Sequence, residues 1–198
     1  MESSVKYYIL EQENNDSYPI LEWGNDIDNI EISIAKNREV KPSGPVELLI
    51  GEPIPKNPLM VDYHELPKPV FSKKIYDLLE PLKLNQVQLV PAYVLTNNVT
   101  YDYWILYVRN LIECMDKNKS KVHYRTDGKT LSMVDKLFLD FDKLEQIPEE
   151  NRLVFRLAEF RIIHIYHEKI KKLIESVKPV GLQFFSVEEW DDTSSFKR

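Results

Sequence analysis

The order of apolar and polar residues predicts a chain of short strands separated by a few helices. Strands are expected where β-branched and aromatic residues run together or alternate with polar residues. By this criterion the predicted strands cover residues 5–10, 30–34, 46–50, 86–90, 102–108, 137–141, 153–157, 161–165 and 182–187. Residues 103–108 are apolar on both faces, which is typical of a central strand covered on both sides.

Two segments carry the signals of a helix. Ser72 is a suitable N-cap for a short helix that ends at Pro81. The second segment, near residues 167–177, has apolar residues at i, i+3, i+4 and i+7 and charged residues between them, which predicts an amphipathic helix. Its apolar positions are Ile170, Leu173, Ile174 and Val177. With the strands, these helices predict an α+β fold in which a mixed or antiparallel sheet packs against a few helices.

Residues 42–69 form a proline-rich segment. Its seven prolines exclude a helix, because proline lacks an amide donor and restricts the residue before it. The segment also contains apolar residues such as Leu48, Leu49 and Ile54, so we interpret it as irregular chain lying on the core rather than as a free linker. We therefore expect residues 1–198 to form a single α+β domain, with 42–69 as the candidate subdomain boundary.

Acidic residues are concentrated near the start of the sequence. The net charge is −6, and between Lys6 and Lys36 there are seven Asp or Glu residues and no Lys or Arg. This distribution disfavours nucleic acid as a partner. The acidic surface either keeps the protein in solution or steers a basic partner protein. For the second role, Glu22, Asp26 and Asp28 are candidate contact residues.

A second acidic group follows the last predicted strand. It comprises Glu188, Glu189, Trp190, Asp191 and Asp192. An aromatic side chain surrounded by charge is a common centre of a protein interface, so these residues are candidates for binding a partner. The alternative is a solvated tail in which Trp190 folds back onto the core.

The single cysteine and the lack of long apolar runs bear on where the protein acts. Cys114 has no second cysteine with which to form an internal disulfide, so the fold is compatible with a reducing compartment. The first ten residues lack the basic and apolar regions of an export signal, and no apolar run approaches the roughly 18 residues that span a bilayer. We therefore expect a cytoplasmic protein without a membrane partner.

Two groups of residues are candidates for a metal-dependent enzyme. His164, His167 and Glu168 combine imidazoles with a possible base, although the metalloprotease pattern places the two histidines four residues apart. Asp140 and Asp142 would lie on one face of a predicted strand, a spacing suited to a divalent cation. Ordinary packing and solvation explain both groups as well, so the enzyme is kept as an alternative.

Other catalytic patterns are weaker. Cys114 has Asp116 and His123 nearby in sequence, but nucleophilic catalysis needs a positioned triad. The five glycines are scattered and form no phosphate-binding loop. We therefore predict a non-enzymatic binding protein that uses no cofactor.

The C-terminal part of the sequence resembles a known family. Four predicted elements follow one another there: a strand with Phe155 and Arg156, a second β run, an amphipathic helix, and a final strand that begins with Gly181 and contains Phe184. This order looks like the closing signature of bacterial immunity proteins from polymorphic toxin systems. The distinctive part covers residues 153–187. The sequence departs from the family at Val180, where a threonine is usual.

The resemblance implies a cytoplasmic antidote that binds a cognate protein toxin and blocks its activity. It supplies no catalytic residues. A structural protein that associates with itself through aromatic surfaces is a third interpretation, and the sequence leaves the oligomeric state open.

Overall fold

The computed structural model describes residues 5–25, 27–191 and 193–194. Its strands are β1 (Tyr7–Gln12), β2 (Leu21–Trp23), β3 (Val46–Ile50), β4 (Tyr63–His64), β5 (Val70–Ser72), β6 (Val87–Thr96), β7 (Val99–Val108), β8 (Leu111–Ile112), β9 (Lys121–Tyr124), β10 (Leu131–Lys136), β11 (Val154–Leu157), β12 (His164–His167) and β13 (Leu182–Ser186). Its α-helices are α1 (Asp28–Ala35), α2 (Lys73–Leu79), α3 (Phe141–Glu145) and α4 (Glu168–Glu175). The predicted α+β class is confirmed. None of the described helices has the length and apolar character needed to cross a bilayer.

Five strands form the first sheet, in the order β13-β1-β12-β11-β8. Neighbouring strands are antiparallel except for β11 and β8, which are parallel. Strand β1 lies between two strands from the last third of the chain. Its Tyr8 is opposite Tyr166 of β12 on one side and Ser186 of β13 on the other. This sheet therefore joins segments that are distant in sequence.

Six strands form the second sheet, in the order β2-β3-β6-β7-β5-β4. Strands β3 and β6 are parallel and the other neighbours are antiparallel. β6 and β7 make a long hairpin whose turn residues Asn97 and Asn98 have positive φ angles of 50° and 60°, as a tight hairpin turn requires. β7 lies inside the sheet and its last four residues, Ile105 to Val108, are buried, which agrees with the prediction of a central covered strand.

Strands β9 and β10 form a separate two-stranded hairpin. Asp127 closes its turn, because the carboxylate accepts hydrogen bonds from the N–H groups of Lys129 and Thr130, both at 2.8 Å. The hydrogen bond from the Thr130 hydroxyl, together with these two backbone hydrogen bonds, lowers the pKa of Asp127 to about 2. The hairpin carries Met133 and Val134 to the edge of a cleft described below.

Two predicted strands are wrong. Residues 30–34 lie in helix α1, where Ile30 is buried, Ile34 packs beside it and Ile32 is 52% exposed. The alternating pattern is ambiguous because positions i and i+4 share a face in a helix as well as in a strand. The second wrong strand is 137–141, which leads into α3. Asp140 is the N-cap of this helix, and its side chain accepts a hydrogen bond from the N–H of Lys143. A capping aspartate favours this helix over a continued strand.

One hydrophobic cluster joins the two sheets. It includes Leu10 and Tyr166 from the first sheet and Phe71 and Leu106 from the second. Helices α2 and α4 contribute Ile75, Leu79, Ile170 and Ile174 to the same cluster. α4 lies within the range predicted for the amphipathic helix, and it buries Ile170 and Ile174.

The proline-rich segment belongs to the packed structure. It supplies β3 and β4 and buries Val46, Leu48, Val61 and Tyr63. The division of the chain into domains stays a prediction. The cluster shared by the two sheets supports a single domain.

Gly181 permits a close approach of the chain to Val61, and this predicts a large effect of substitution. Gly181 has a φ of 85°, and an added Cβ would lie 2.5 Å from the Cβ of Val61. We expect Gly181→Ala to lower the free energy of unfolding by about 3 kcal/mol, because alanine there meets both a steric clash and an unfavourable φ. Urea denaturation measures the change.

Two other glycines provide matched controls. Gly128 has a φ of 64° with nothing within 4 Å of an added Cβ, so Gly128→Ala isolates the backbone contribution and should cost about 1 kcal/mol. Gly44 has open space and no positive φ, so Gly44→Ala should be close to neutral. Equal losses at positions 181 and 128 would show that the contact with Val61 is unimportant.

Candidate partner-binding site

The predicted acidic contact residues lie on different sheets. Glu22 is an exposed residue of β2, at the edge of the six-stranded sheet. Glu188 and Glu189 are exposed and follow β13, at the edge of the five-stranded sheet. Asp26, Asp192 and the side chain of Asp28 lie outside the described part of the structure. The structure therefore places Glu22 on one surface and Glu188 and Glu189 on another.

Trp190 is part of the core. Its side chain is 7% exposed, it packs in the same cluster as Val187, and its indole Nε1 donates a hydrogen bond to the Glu11 carboxylate. Asp191, the next residue, accepts from the N–H of Thr193 at 3.0 Å. The indole therefore holds the segment after β13 against the protein, as in the alternative where Trp190 folds back. Glu188 and Glu189 lie in the turn before Trp190 and are exposed to water.

The proposed metal-binding histidines point in different directions. His164 and His167 are both on β12, and strand residues three apart face opposite sides of the sheet. His167 caps α4, because its Nδ1 accepts from the N–H of Lys169 at 3.1 Å, and its ring contacts Tyr7 edge-on. Asp140 is likewise occupied as the cap of α3. Across the described residues, no group of three or more His, Cys, Asp or Glu side chains is placed to hold a metal ion.

Cys114 is buried and is not assembled with the residues near it in sequence. Desolvation raises the pKa of its thiol, which disfavours the reactive thiolate. His123 instead contacts Asp135 across the β9–β10 hairpin, with Nε2 and Oδ2 2.7 Å apart. The structure therefore does not bring Cys114 and His123 together.

A cleft of about 600 Å³ lies between the two sheets and the β9–β10 hairpin. Ile9 and Glu11 of β1 line it from the first sheet, and the segment Glu65–Pro69 lines it from the second. The hairpin closes a third side with Met133, and residues 160–164 complete the wall. We name this surface the seam cleft because it lies between the two sheets.

Arg156 is the most unusual residue of the seam cleft. It lies on β11, is only 7% exposed and has neighbours in the strand that are fully apolar. Its Nη2 donates to the Asn37 side-chain oxygen at 2.8 Å, and its guanidinium lies 5.9 Å from the ring centre of Tyr107. Its buried Nε has no hydrogen-bond partner in the structure as described. Among the residues that the structure describes, this buried guanidinium is held by neutral groups.

Three further basic or imidazole groups lie around Arg156. They are Lys68, Arg161 and His164, all of which line the seam cleft. Over the described ranges of the chain, none of Lys68, Arg156 and Arg161 forms an ion pair with a carboxylate. Desolvation lowers the pKa of Lys68, and the charge of Arg156 lowers it further. The seam cleft therefore concentrates positive charge in a protein that is acidic overall.

The positive charge of the seam cleft affects the pKa of His164. Its pKa is lowered to about 3, first by desolvation and then by the charges of Arg156 and Lys68. The imidazole is therefore neutral near pH 7. Glu65 also lines the cleft, and desolvation raises the pKa of its carboxyl group.

Sequence reasoning did not single out these cations as a site. Lys68, Arg156 and Arg161 are far apart in sequence or separated by a turn, and the fold brings them together. One signal was available, because an arginine between Phe155 and Leu157 in an otherwise apolar strand has to be buried or paired.

The comparison with protein families identifies the class to which the chain belongs. The model described as "Immunity protein family (Imm11)" matches residues 48–189. This match covers most of the 198 residues, so the chain belongs to the Imm11 immunity protein family. The match includes Arg156, Gly181 and Phe184, on which the resemblance rested. A comparison with curated proteins gives no match.

The electrostatics of the seam cleft predict how His164 titrates. Because its pKa in the folded protein is about 3 and that of an unfolded histidine is about 6.5, only the unfolded chain gains this proton between those values. His164 therefore lowers the stability of the fold as the pH falls through this window, by up to about 1.4 kcal/mol per pH unit, and has no such effect above pH ~6.5. NMR titration of the His164 ring should show no protonation between pH 7 and pH 5.

A substitution tests the source of this shift. Lys68→Met should raise the pKa of His164, because it removes one of the charges that oppose protonation. Lys117→Met removes an equal charge at an exposed position outside the seam cleft and should leave the titration unchanged. A His164 ring that titrates near pH 6.5 in the unmodified protein would contradict the description of the cleft.

Proposed function

We propose that the protein is an immunity protein that binds a cognate bacterial toxin in the cytoplasm and blocks its activity. The observation that carries this proposal is the match of residues 48–189 to the Imm11 immunity protein family. The cytoplasmic location remains part of the proposal, and the single buried cysteine is compatible with it.

The geometry supports binding rather than catalysis. His167 and Asp140 are occupied as helix caps, and the thiol of Cys114 is buried with a raised pKa. Exposed charge and apolar side chains around an open cleft are instead features of a surface that contacts another protein. Nothing in the described part of the structure favours a structural protein that associates with itself over this function.

The first test uses the cognate toxin, which we expect a neighbouring gene to encode. We expect co-expression of the full chain to restore growth of cells that produce the toxin domain, and the two purified proteins to form a stable complex in size-exclusion chromatography. An unrelated immunity protein should give neither result. Continued toxicity and separate elution of the two proteins would exclude this function for the pair.

The acidic residues after β13 are proposed as peripheral contacts. Glu188 and Glu189 are exposed, and Trp190 beneath them holds the backbone in place. If the toxin surface is basic, charges at the edge of an interface mainly accelerate association and make it sensitive to salt. They contribute less to the stability of the final complex.

Charge reversal tests this contribution. The double variant Glu188→Lys/Glu189→Lys should weaken toxin binding by about tenfold at low salt and reduce the salt dependence of the association rate. Glu145→Lys/Glu150→Lys makes the same change of charge at two other exposed positions and is the control. Surface plasmon resonance at several salt concentrations measures both. Unchanged rates in the first variant would remove this surface from the proposed interface.

A further inference from the structure

We propose that the seam cleft is the centre of the toxin-binding surface and that Arg156 pairs there with an Asp or Glu side chain of the toxin. This inference rests on the proposed function and specifies its binding site. The toxin segment would carry a carboxylate flanked by apolar residues, because the seam cleft combines a cationic floor with an apolar rim.

The first argument is the missing counterion of Arg156. Moving a charged side chain out of water is costly unless a partner of opposite charge and full hydrogen bonding replace the lost hydration. Arg156 is 7% exposed, and within the described part of the chain its Nε has no hydrogen-bond partner. Its other contacts there are with neutral groups: the Asn37 oxygen, the Arg161 carbonyl at 3.4 Å and the ring of Tyr107. A carboxylate entering the cleft would supply the missing charge. The planar guanidinium is suited to pair with it in a bidentate geometry.

The second argument is the concentration of like charge. Arg161 opposes the charge of Arg156, and Arg156 opposes that of Lys68. Like charges held together without a counterion lower the stability of the isolated protein, and an arriving anion relieves that repulsion. Two carboxylates, Glu11 and Glu65, also line the cleft, but among the described residues none of the three cations forms an ion pair with either of them.

The third argument favours a protein over a small anion as the occupant. Around the cationic floor lie exposed apolar side chains: Ile162 is 74% exposed, Leu66 is 50% exposed and Met133 is 48% exposed. A small anion would leave these side chains in water. A protein segment would cover them and exclude water from the ion pair, which strengthens the electrostatic attraction.

The seam cleft is also continuous with the acidic surface proposed above. Trp190 lines the cleft, and Glu188 and Glu189 precede it directly in the chain. A toxin bound in the cleft would therefore lie beside these acids. The combined surface would present a buried positive centre with negative charge at one edge, which selects against partners that carry only one sign of charge.

The test measures the affinity of the full chain for the cognate toxin domain identified by co-expression, by isothermal titration calorimetry. Arg156→Met keeps a side chain of similar length and removes the charge. We expect it to weaken binding by about 100-fold, because the toxin carboxylate would be buried without a partner. Lys117→Met, at a 60% exposed position outside the cleft, should bind like the unmodified protein. Circular dichroism and thermal unfolding establish that each variant is folded.

A second variant at the rim covers the case in which Arg156→Met does not fold. Arg161 and Ile162 are both exposed, so Arg161→Glu/Ile162→Asp should preserve the fold and still weaken toxin binding by at least about tenfold. Leu95→Asp places the same acid at a 58% exposed apolar position on the β6–β7 hairpin and is the control. Inorganic phosphate, titrated into the unmodified protein, tests the small-anion alternative.

The outcomes separate this inference from the proposed function. If the unmodified protein binds the toxin and the cleft variants bind it equally well, the toxin-binding function stands and the seam cleft is not its centre. Micromolar binding of inorganic phosphate, with unchanged toxin affinity of the variants, also overturns the inference and assigns the cleft to small anions. If the unmodified protein does not bind the toxin, both the function and the inference fail. Selective loss of affinity in the cleft variants supports the proposal.

Discussion

Burial of a single apolar cluster between the two sheets is the constraint on which the rest of the structure depends. The cluster contains Leu10 and Tyr166 from the five-stranded sheet and Phe71 and Leu106 from the six-stranded sheet, and α2 and α4 contribute further side chains to it. Because protein interiors are close-packed, this cluster determines how the sheets lie relative to each other. The seam cleft has walls from both sheets, so its shape follows from the packing of the sheets. The apolar cluster behind that packing contains none of the charged residues of the cleft.

The seam cleft shows how stability and recognition compete in one place. A strand such as β11, with apolar residues on both sides of Arg156, would be packed at lower cost with a methionine or leucine at that position. Binding sites often retain such unfavourable groups, since a group that is well satisfied in the free protein has little to gain from a partner. Arg156 and its neighbours Lys68 and Arg161 fit this description, whereas His167 and Asp140 have local structural partners that account for them.

The sequence predicted the elements whose patterns have one interpretation. Residues 103–108 are apolar on both faces, and they lie in a buried part of β7 as predicted. The clear helical period near residues 167–177 covers the segment that forms α4. Helix α1 was predicted as a strand because Ile30 and Ile34 fit either geometry, and only contact with Val46 and its neighbours in the core decides between them. The site was less accessible to prediction. The depth of Trp190 depends on its contact with Glu11, and the seam cleft depends on the packing of distant segments, neither of which local sequence contains.

The position of β1 has a consequence for the synthesis of the protein. Its described sheet partners are β12 and β13, which are made more than 150 residues later. During synthesis, the backbone of β1 therefore stays unpaired and the side chains of Tyr7 and Ile9 stay exposed until β12 and β13 have been made. The β6–β7 hairpin can form earlier, because its two strands are adjacent in sequence. Contacts so distant in sequence form slowly, and unpaired strands invite association with other chains. The yield of a folded immunity protein with this topology would thus depend on how quickly β1 pairs with β12 and β13.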